Sequence, residues 1–284
     1  METIVKRRHE EAHALIDGFL QRHFARHGSY REDLYKYLGA DYVHGVPKTR
    51  NALLNILSDE QDGRCCYCMR QINSLGPEEK TIEHVIVNHP EDQADYEQYL
   101  NHNSFLDDAP IQSTADFVSH QNIAPQNPPT SYPHSVAYEN LLMSCAGHID
   151  LSSRSSLTCN NKRCHRFIMP LPMMANTGND VKYRKDGSVY WVYETQTENT
   201  TVNILGLNHI ILRTIRRIWY KISEAGQNAD SCDRKKITLE ALDDAIADGE
   251  DDAVLKWLFL FASNDDYWNM LKQFSYFNNL NRFE

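Results

Sequence analysis

The chain has 284 residues, 41% hydrophobic and 24% charged, which supplies apolar side chain for one large or two modest cores. No apolar run approaches the roughly 20 residues that span a bilayer, and the stretch Met1–Arg8 lacks the apolar segment of a secretory signal, so a cytoplasmic protein is expected. A net charge of −10 argues against nonspecific coating of nucleic acid, although seven acidic residues fall between Glu240 and Asp252 and basic clusters stand apart from them, at Lys162, Arg163 and Arg166 and at Lys182, Arg184 and Lys185.

In chain order, Ile4 to His27 reads as a helix with Ala12, Leu15, Ile16, Phe19 and Phe24 approximating one apolar face, and Gly28 ends it. A second helix is predicted from Lys48 to Asp62 around Leu53, Leu54, Ile56 and Leu57. Residues 65–88 read as a cysteine knuckle followed by a short strand at Thr81–Val87. The segment 89–136 is rich in Asn, Gln, Pro and Ser, and Pro125, Pro128, Pro129 and Pro133 argue against regular structure in it. Structure resumes at Val136–Met143. A hairpin is predicted over 181–204, with Asp186-Gly187 as its turn between Val181-Lys182-Tyr183 and Val189–Tyr193. Helices follow at Asn208–Ala225, Thr238–Ala247, Asp252–Phe261 and Tyr267–Phe277. The expected class is α+β, with a helical region at 1–62, a core at 63–170 carrying the insert 89–136, and a hairpin with C-terminal helices at 171–284.

Seven cysteines, an odd number with three inside four residues, point to metal rather than disulfides. Cys65 and Cys68 form a Cys-x-x-Cys step, a spacing that lets two thiolates hold one zinc from a tight turn. Cys145, Cys159 and Cys164 supply a second set. The preferred ligands are Cys65, Cys68, Cys145 and Cys159, with His148 and Cys164 competing for the second half. The local sequence is too polar for buried free thiols to be the better explanation. No role is expected for Cys232.

Glu83-His84 follows the knuckle. Neighbours along a strand point to opposite faces, so the two reach one substrate only at a strand end or bulge, the acid to bind metal and the histidine to take a proton. The order of features adds weight: Cys-x-x-Cys, then Ile82-Glu83-His84, then Tyr138-Glu139-Asn140-Leu141-Leu142, then Cys145, then Cys159-Asn160-Asn161-Lys162-Arg163. This series resembles the HNH, or ββα-metal, endonuclease family in its cysteine-knuckle form, over residues 65–166. A wider likeness looks like the HNH subunit of Septu-type and retron-associated phage-defence systems. It rests on Leu53-Leu54 upstream of Gly63–Cys68, on the Asp186-Gly187 hairpin, and on Leu205-Gly206-Leu207-Asn208 entering a helix with Leu212, Arg213 and Arg216.

The resemblance implies an α+β fold with a small zinc-stapled HNH core inside a mostly helical chain, and hydrolysis of phosphodiester bonds in DNA or RNA. It implies that His84 is the general base, that Glu83 holds a catalytic divalent cation (Mg2+ or Mn2+), and that Asn140 orients the His84 ring through the intervening loop. Zn2+ would be structural. Asn160 is the first choice for a second magnesium ligand and His165 the second, a helix-capping role being the alternative for Asn160. Two departures from the family pattern are the long insert between Cys145 and Cys159, where simple knuckles have Cys-x-x-Cys, and the closing histidine of the family name, which no position clearly matches; the segment 89–136 is another insert, placed to cover the site, shape substrate choice or dock a partner. Lys162, Arg163 and Arg166 are expected on phosphates, whereas Arg213, Arg216, Arg217 and Lys221 read as a solvated, ion-paired face. Implied partners are the nucleic-acid substrate, an ABC/SMC-like ATPase docking on 240–252 or on the helices after 208, and a retron reverse transcriptase with its RNA–DNA product. The competing expectation is a non-catalytic, zinc-stabilised module that binds nucleic acid or protein.

Overall fold

The computed structural model describes the chain except residues 42–47, 74–75, 77–78, 89–95, 98–99, 102–105, 107, 148–157, 165, 195–199, 226–230, 248 and 250–264, and except the side chains of 231–235 and 265–268. The architecture is α+β, with helices around small two-stranded sheets.

Helix α1 (His9–His27) starts later than the apolar pattern suggested and buries Ala12, Ile16, Phe19 and Leu20. It closes at Gly28, whose φ of 71° lets its N–H cap the Phe24 carbonyl. A short helix, α2 (Leu34–Ala40), was not anticipated. Helix α3 (Thr49–Glu60) buries Leu53, Leu54, Ile56 and Leu57 and packs on α1. Chain reversal at Gly63 then leads into the cysteine knuckle, where Arg64 bridges Gln71.

Strand β1 (Lys80–His84) pairs antiparallel with β4 (Leu141–Cys145), from Lys80 opposite Cys145 to His84 opposite Leu141. The intervening polar segment is more ordered than its prolines indicated. It holds β2 (Ile111–Gln112), helix α4 (Thr114–Ile123) and β3 (Tyr132–Pro133), with β2 and β3 parallel. The helix is capped by Ser113, whose Oγ accepts from the Asp116 N–H at 3.1 Å.

After β4 come α5 (Cys159–Arg163) and α6 (Thr177–Asp180), then the expected hairpin of β5 (Val181–Tyr183) and β6 (Val189–Trp191). Helices α7 (Thr201–Ile204), α8 (Ile210–Glu224), α9 (Ser231–Ala247) and α10 (Asp265–Lys272) complete the described chain, and α9 packs on α8. The helix expected at Asp252–Phe261 lies outside the described residues.

One hydrophobic core joins residues from all three expected regions, among them Leu53, Cys65, Leu141, Ile215 and Phe277. A satellite cluster gathers Ile86, Val87, Tyr96 and Leu106 beneath the insert. Among the described residues, no helix is long and apolar enough to cross a membrane.

Of the basic residues of α8, Arg213 and Lys221 are part-exposed and ion-paired as expected, whereas Arg216 and Arg217 correct the expectation of a solvated face. Arg216 and Arg217 are buried. Arg216 donates to the Gly187 carbonyl at 2.6 Å and to the Leu207 carbonyl, while Arg213 pairs with Asp186 at 3.1 Å. These arginines fasten the hairpin to the helix.

Candidate functional site

The four preferred cysteines meet. Cys65 and Cys68 sit in the knuckle, a reversal closed by Cys65 N–H to Arg70 O at 2.9 Å and Met69 N–H to Cys65 O at 3.1 Å, with Met69 itself at a φ of 62°. Cys145 ends β4, and Cys159 begins α5 at a φ of 54°. The two come together because the insert between them is pinched at its base: Thr158 donates to the Gly147 carbonyl from N–H and hydroxyl, at 3.2 and 3.1 Å. Gly147 is required there, since a Cβ at its φ of 75° would lie 2.1 Å from the Thr158 carbonyl oxygen.

All four sulfurs are buried and lie within 4.8 Å of one another. Cys65 and Cys159 are 3.8 Å apart, Cys68 and Cys145 3.7 Å. Four sulfurs bonded at about 2.3 Å around a tetrahedral zinc stand roughly 3.8 Å apart, so the donor set fits a structural ion such as zinc. Cys164, a competitor for the fourth place, is exposed and donates to Asn161 O. His148 lies outside the described residues.

His84 ends β1 on the side facing the insert. Its Nε2 donates to the Ser135 carbonyl at 3.0 Å, because a carbonyl can only accept, and this leaves Nδ1 as the basic nitrogen. Tyr35 of α2 meets the ring edge-on, with centroids 4.5 Å apart. The histidine is 8% exposed.

The hydrogen bonds of the Asn140 side chain go to backbone. Its Oδ1 accepts from Ile86 N–H at 2.6 Å, and its Nδ2 donates to the carbonyls of Ile86 and His134, both at 2.9 Å. The amide therefore pins the backbone two residues beyond His84 to the residue preceding Ser135, whose carbonyl orients the imidazole. Orphaned buried amides are costly, and here both ends of the side chain are satisfied.

Glu83 points the other way, as alternation along a strand demands. Its carboxylate is buried against Arg163, and Tyr67 Oη donates to it at 3.1 Å. Burial raises its pKa, opposed by the Arg163 guanidinium and the Tyr67 hydroxyl. Arg163 also donates to the carbonyls of His84, Val85 (2.9 Å) and Arg166 (3.0 Å). Arg163 is thus an internal clamp, 1% exposed, and the expectation that it meets phosphate is corrected. Lys162 and Arg166 are exposed on the same short helix and the turn after it.

A magnesium held by Glu83 does not fit this arrangement. Mg2+ seeks octahedral oxygen ligands, usually carboxylates and water. Glu83 already has its charge balanced by Arg163, and it belongs to no metal-ligating group among the described residues. Asn160, half-buried, points its Nδ2 at Thr81 Oγ1 (3.4 Å) and Ile82 O (3.5 Å), beside β1 rather than toward His84. Asn160 does not cap α5 either, since Thr158 holds the N-cap position. His165 lies outside the described residues.

Three contributors escaped the sequence reading: Tyr35, Tyr67 and Ser135. Ser135 meets His84 across 51 residues of chain and Tyr35 meets it from another helix, so no local motif marks them, whereas Tyr67 lies inside the knuckle and only the fold shows that it meets Glu83. Compared with known proteins, the chain matches no family model, no curated protein and no solved structure.

Proposed function

We propose that the chain is an HNH-type endonuclease that hydrolyses phosphodiester bonds of nucleic acid, with His84 as general base and Cys65, Cys68, Cys145 and Cys159 holding a structural zinc. The carrying observation is the relay from Asn140 through the Ile86 and His134 backbone to Ser135 and the His84 ring, built at one end of the β1–β4 pair whose other end carries Cys145 of the four-cysteine cluster. A histidine has an ordinary pKa near neutrality, which suits it to remove a proton from water. The oxygen then attacks phosphorus, the bond to the leaving sugar oxygen breaks, and that oxygen takes up a proton from solvent. Lys162 and Arg166, exposed at the end of α5 and just after it, are the proposed phosphate contacts, which position the strand without reading its sequence.

Dependence on Mg2+ or Mn2+ follows from the family resemblance and belongs to the proposal, with ligands other than Glu83 in its Arg163-bound form. The ABC/SMC-like ATPase and the reverse transcriptase with its RNA–DNA product are proposed partners on the same ground, in an antiphage defence complex.

The test is a cleavage assay on DNA, transfer RNA and total RNA, with Mg2+ or Mn2+, with and without the candidate ATPase. His84→Ala is expected to reduce cutting by about 100-fold or more for loss of a general base, with the native fold retained at the assay temperature by circular dichroism although the hydrogen bond to the Ser135 carbonyl is lost. Equal cutting by the variant would remove His84 from the chemistry. A second reading, a zinc-stabilised module without catalysis, is favoured by the Glu83–Arg163 clamp and the small exposure of His84. It predicts that wild type and variant bind nucleic acid alike and that neither cuts.

A further inference from the structure

We propose that His9, His13 and Glu139 form a second divalent-cation site, before the start of β4, whose far end carries Cys145, and that it takes a zinc-class transition-metal ion. His9 and His13 stand four residues apart on α1 and so share one face. The chain brings Glu139 to that face from the 3₁₀ turn Tyr138–Asn140. One carboxylate oxygen, Oε1, lies 2.9 Å from His9 Nδ1 and 2.8 Å from His13 Nε2. The three ligand atoms lie within 4.8 Å of one another.

The second oxygen carries the argument further. Glu139 is buried, and its Oε2 has no hydrogen-bond partner. A buried acceptor left without a partner is costly, and two imidazoles crowded on one oxygen leave the other idle. A cation bound by the two rings and by one carboxylate oxygen relieves that crowding and sets a positive charge beside the idle oxygen. Two histidines and one carboxylate are the set that holds zinc while leaving a fourth position open, and imidazole suits Zn, Cu, Fe and Ni over Mg or Ca.

The rings are already held. His13 stacks on Tyr132 with centroids 4.6 Å apart, and Tyr132 in turn donates to Asp17 at 3.0 Å. His9 meets the Tyr138 ring edge-on at 5.3 Å. Nitrogen and oxygen ligands at about 2.0–2.2 Å from a tetrahedral ion stand roughly 3.3–3.5 Å apart, so the site opens by about half an ångström to admit it. His9 is half-exposed and can move by that amount. The fourth position faces a cavity of about 650 Å³ that His9 and Glu139 line together with Lys6, Met169 and Met173. An ion there ties α1 to the turn whose next residue is Asn140.

The experiment is metal counting on the full-length protein, titrated with Zn2+ and separately with Co2+ in chelator-free buffer. Wild type is expected to take up two equivalents of Zn2+, and His9→Ala/His13→Ala one. Glu139→Gln is expected to bind the second equivalent at least tenfold more weakly. In the Co2+ titration the second equivalent should add visible d–d absorption without the near-ultraviolet thiolate charge-transfer band of the first. A circular-dichroism melt without added metal controls for folding, and His9→Ala alone, at a half-exposed position, serves if the double variant fails to fold. Equal metal content in wild type and variants, or a cobalt spectrum of thiolate character only, overturns the proposal.

Discussion

Arg163 illustrates how a residue changes meaning once its neighbours are known. In a run of Asn, Asn, Lys and Arg it reads as surface charge, because arginine is rarely buried unless paired. The pair is there, but it comes from 80 residues away. Its guanidinium spans Glu83 and the backbone carbonyls that follow, so it sets the path of the chain on either side of His84. Removing one member of a buried ion pair strands the other in a poorly solvating interior. Arg163→Ala is therefore expected to destabilise the fold by about 3–5 kcal/mol, read from urea denaturation. A loss under about 1 kcal/mol would show that Glu83 is not sealed in as described. The Glu83-His84 dipeptide, by contrast, behaves as strand alternation requires, and only its proposed partners needed the fold.

At the scale of elements, hydrophobic periodicity located α1, α3 and α8, and the Asp186-Gly187 turn located the hairpin. Periodicity works there because each helix has one clear apolar stripe, such as Ile211, Ile215, Ile218 and Ile222 on α8. It failed in the polar insert, where the prolines outweighed a usable signal: Ser113 three residues before Asp116, a helix-start pattern that the structure uses. The docking of the hairpin on α8 was not legible at all. It depends on Gly187, which has a φ of 81° and lies so close to the helix that a Cβ would stand 1.9 Å from the Arg213 carbonyl oxygen. Gly187→Ala is expected to cost about 1–3 kcal/mol from the backbone conformation alone, with the collision in addition. A thermal melt unchanged by this substitution would mean that the hairpin does not rest on the helix.

For the whole molecule, the four cysteines are drawn from the knuckle, the end of β4 and the start of α5, all of which feed one core. A metal bound by such a set contributes to folding directly. Stripping it from the purified chain with a strong chelator is expected to lower the melting temperature by on the order of 10 °C or more. Cys159→Ser should mimic that loss and Cys164→Ser should not, because Cys164 is exposed and apart from the cluster. A chain that purifies without metal and melts unaltered after chelation would leave the sulfurs as packed thiols.

By itself the sequence determined the elements with a strong period or a strong turn, and that the knuckle pair Cys65 and Cys68 seeks a second set of thiolates. Both are local matters of spacing and residue chemistry. The tertiary structure alone decided that Cys159 rather than Cys164 completes the set and that Arg163 and Arg216 face inward. It also decided which partners Glu83 and His84 find on their two faces of β1, and that His9, His13 and Glu139 meet. Each of these depends on contacts between segments far apart in the chain, and burial, which sets whether a charge is paired or solvated, is a property of the assembled fold.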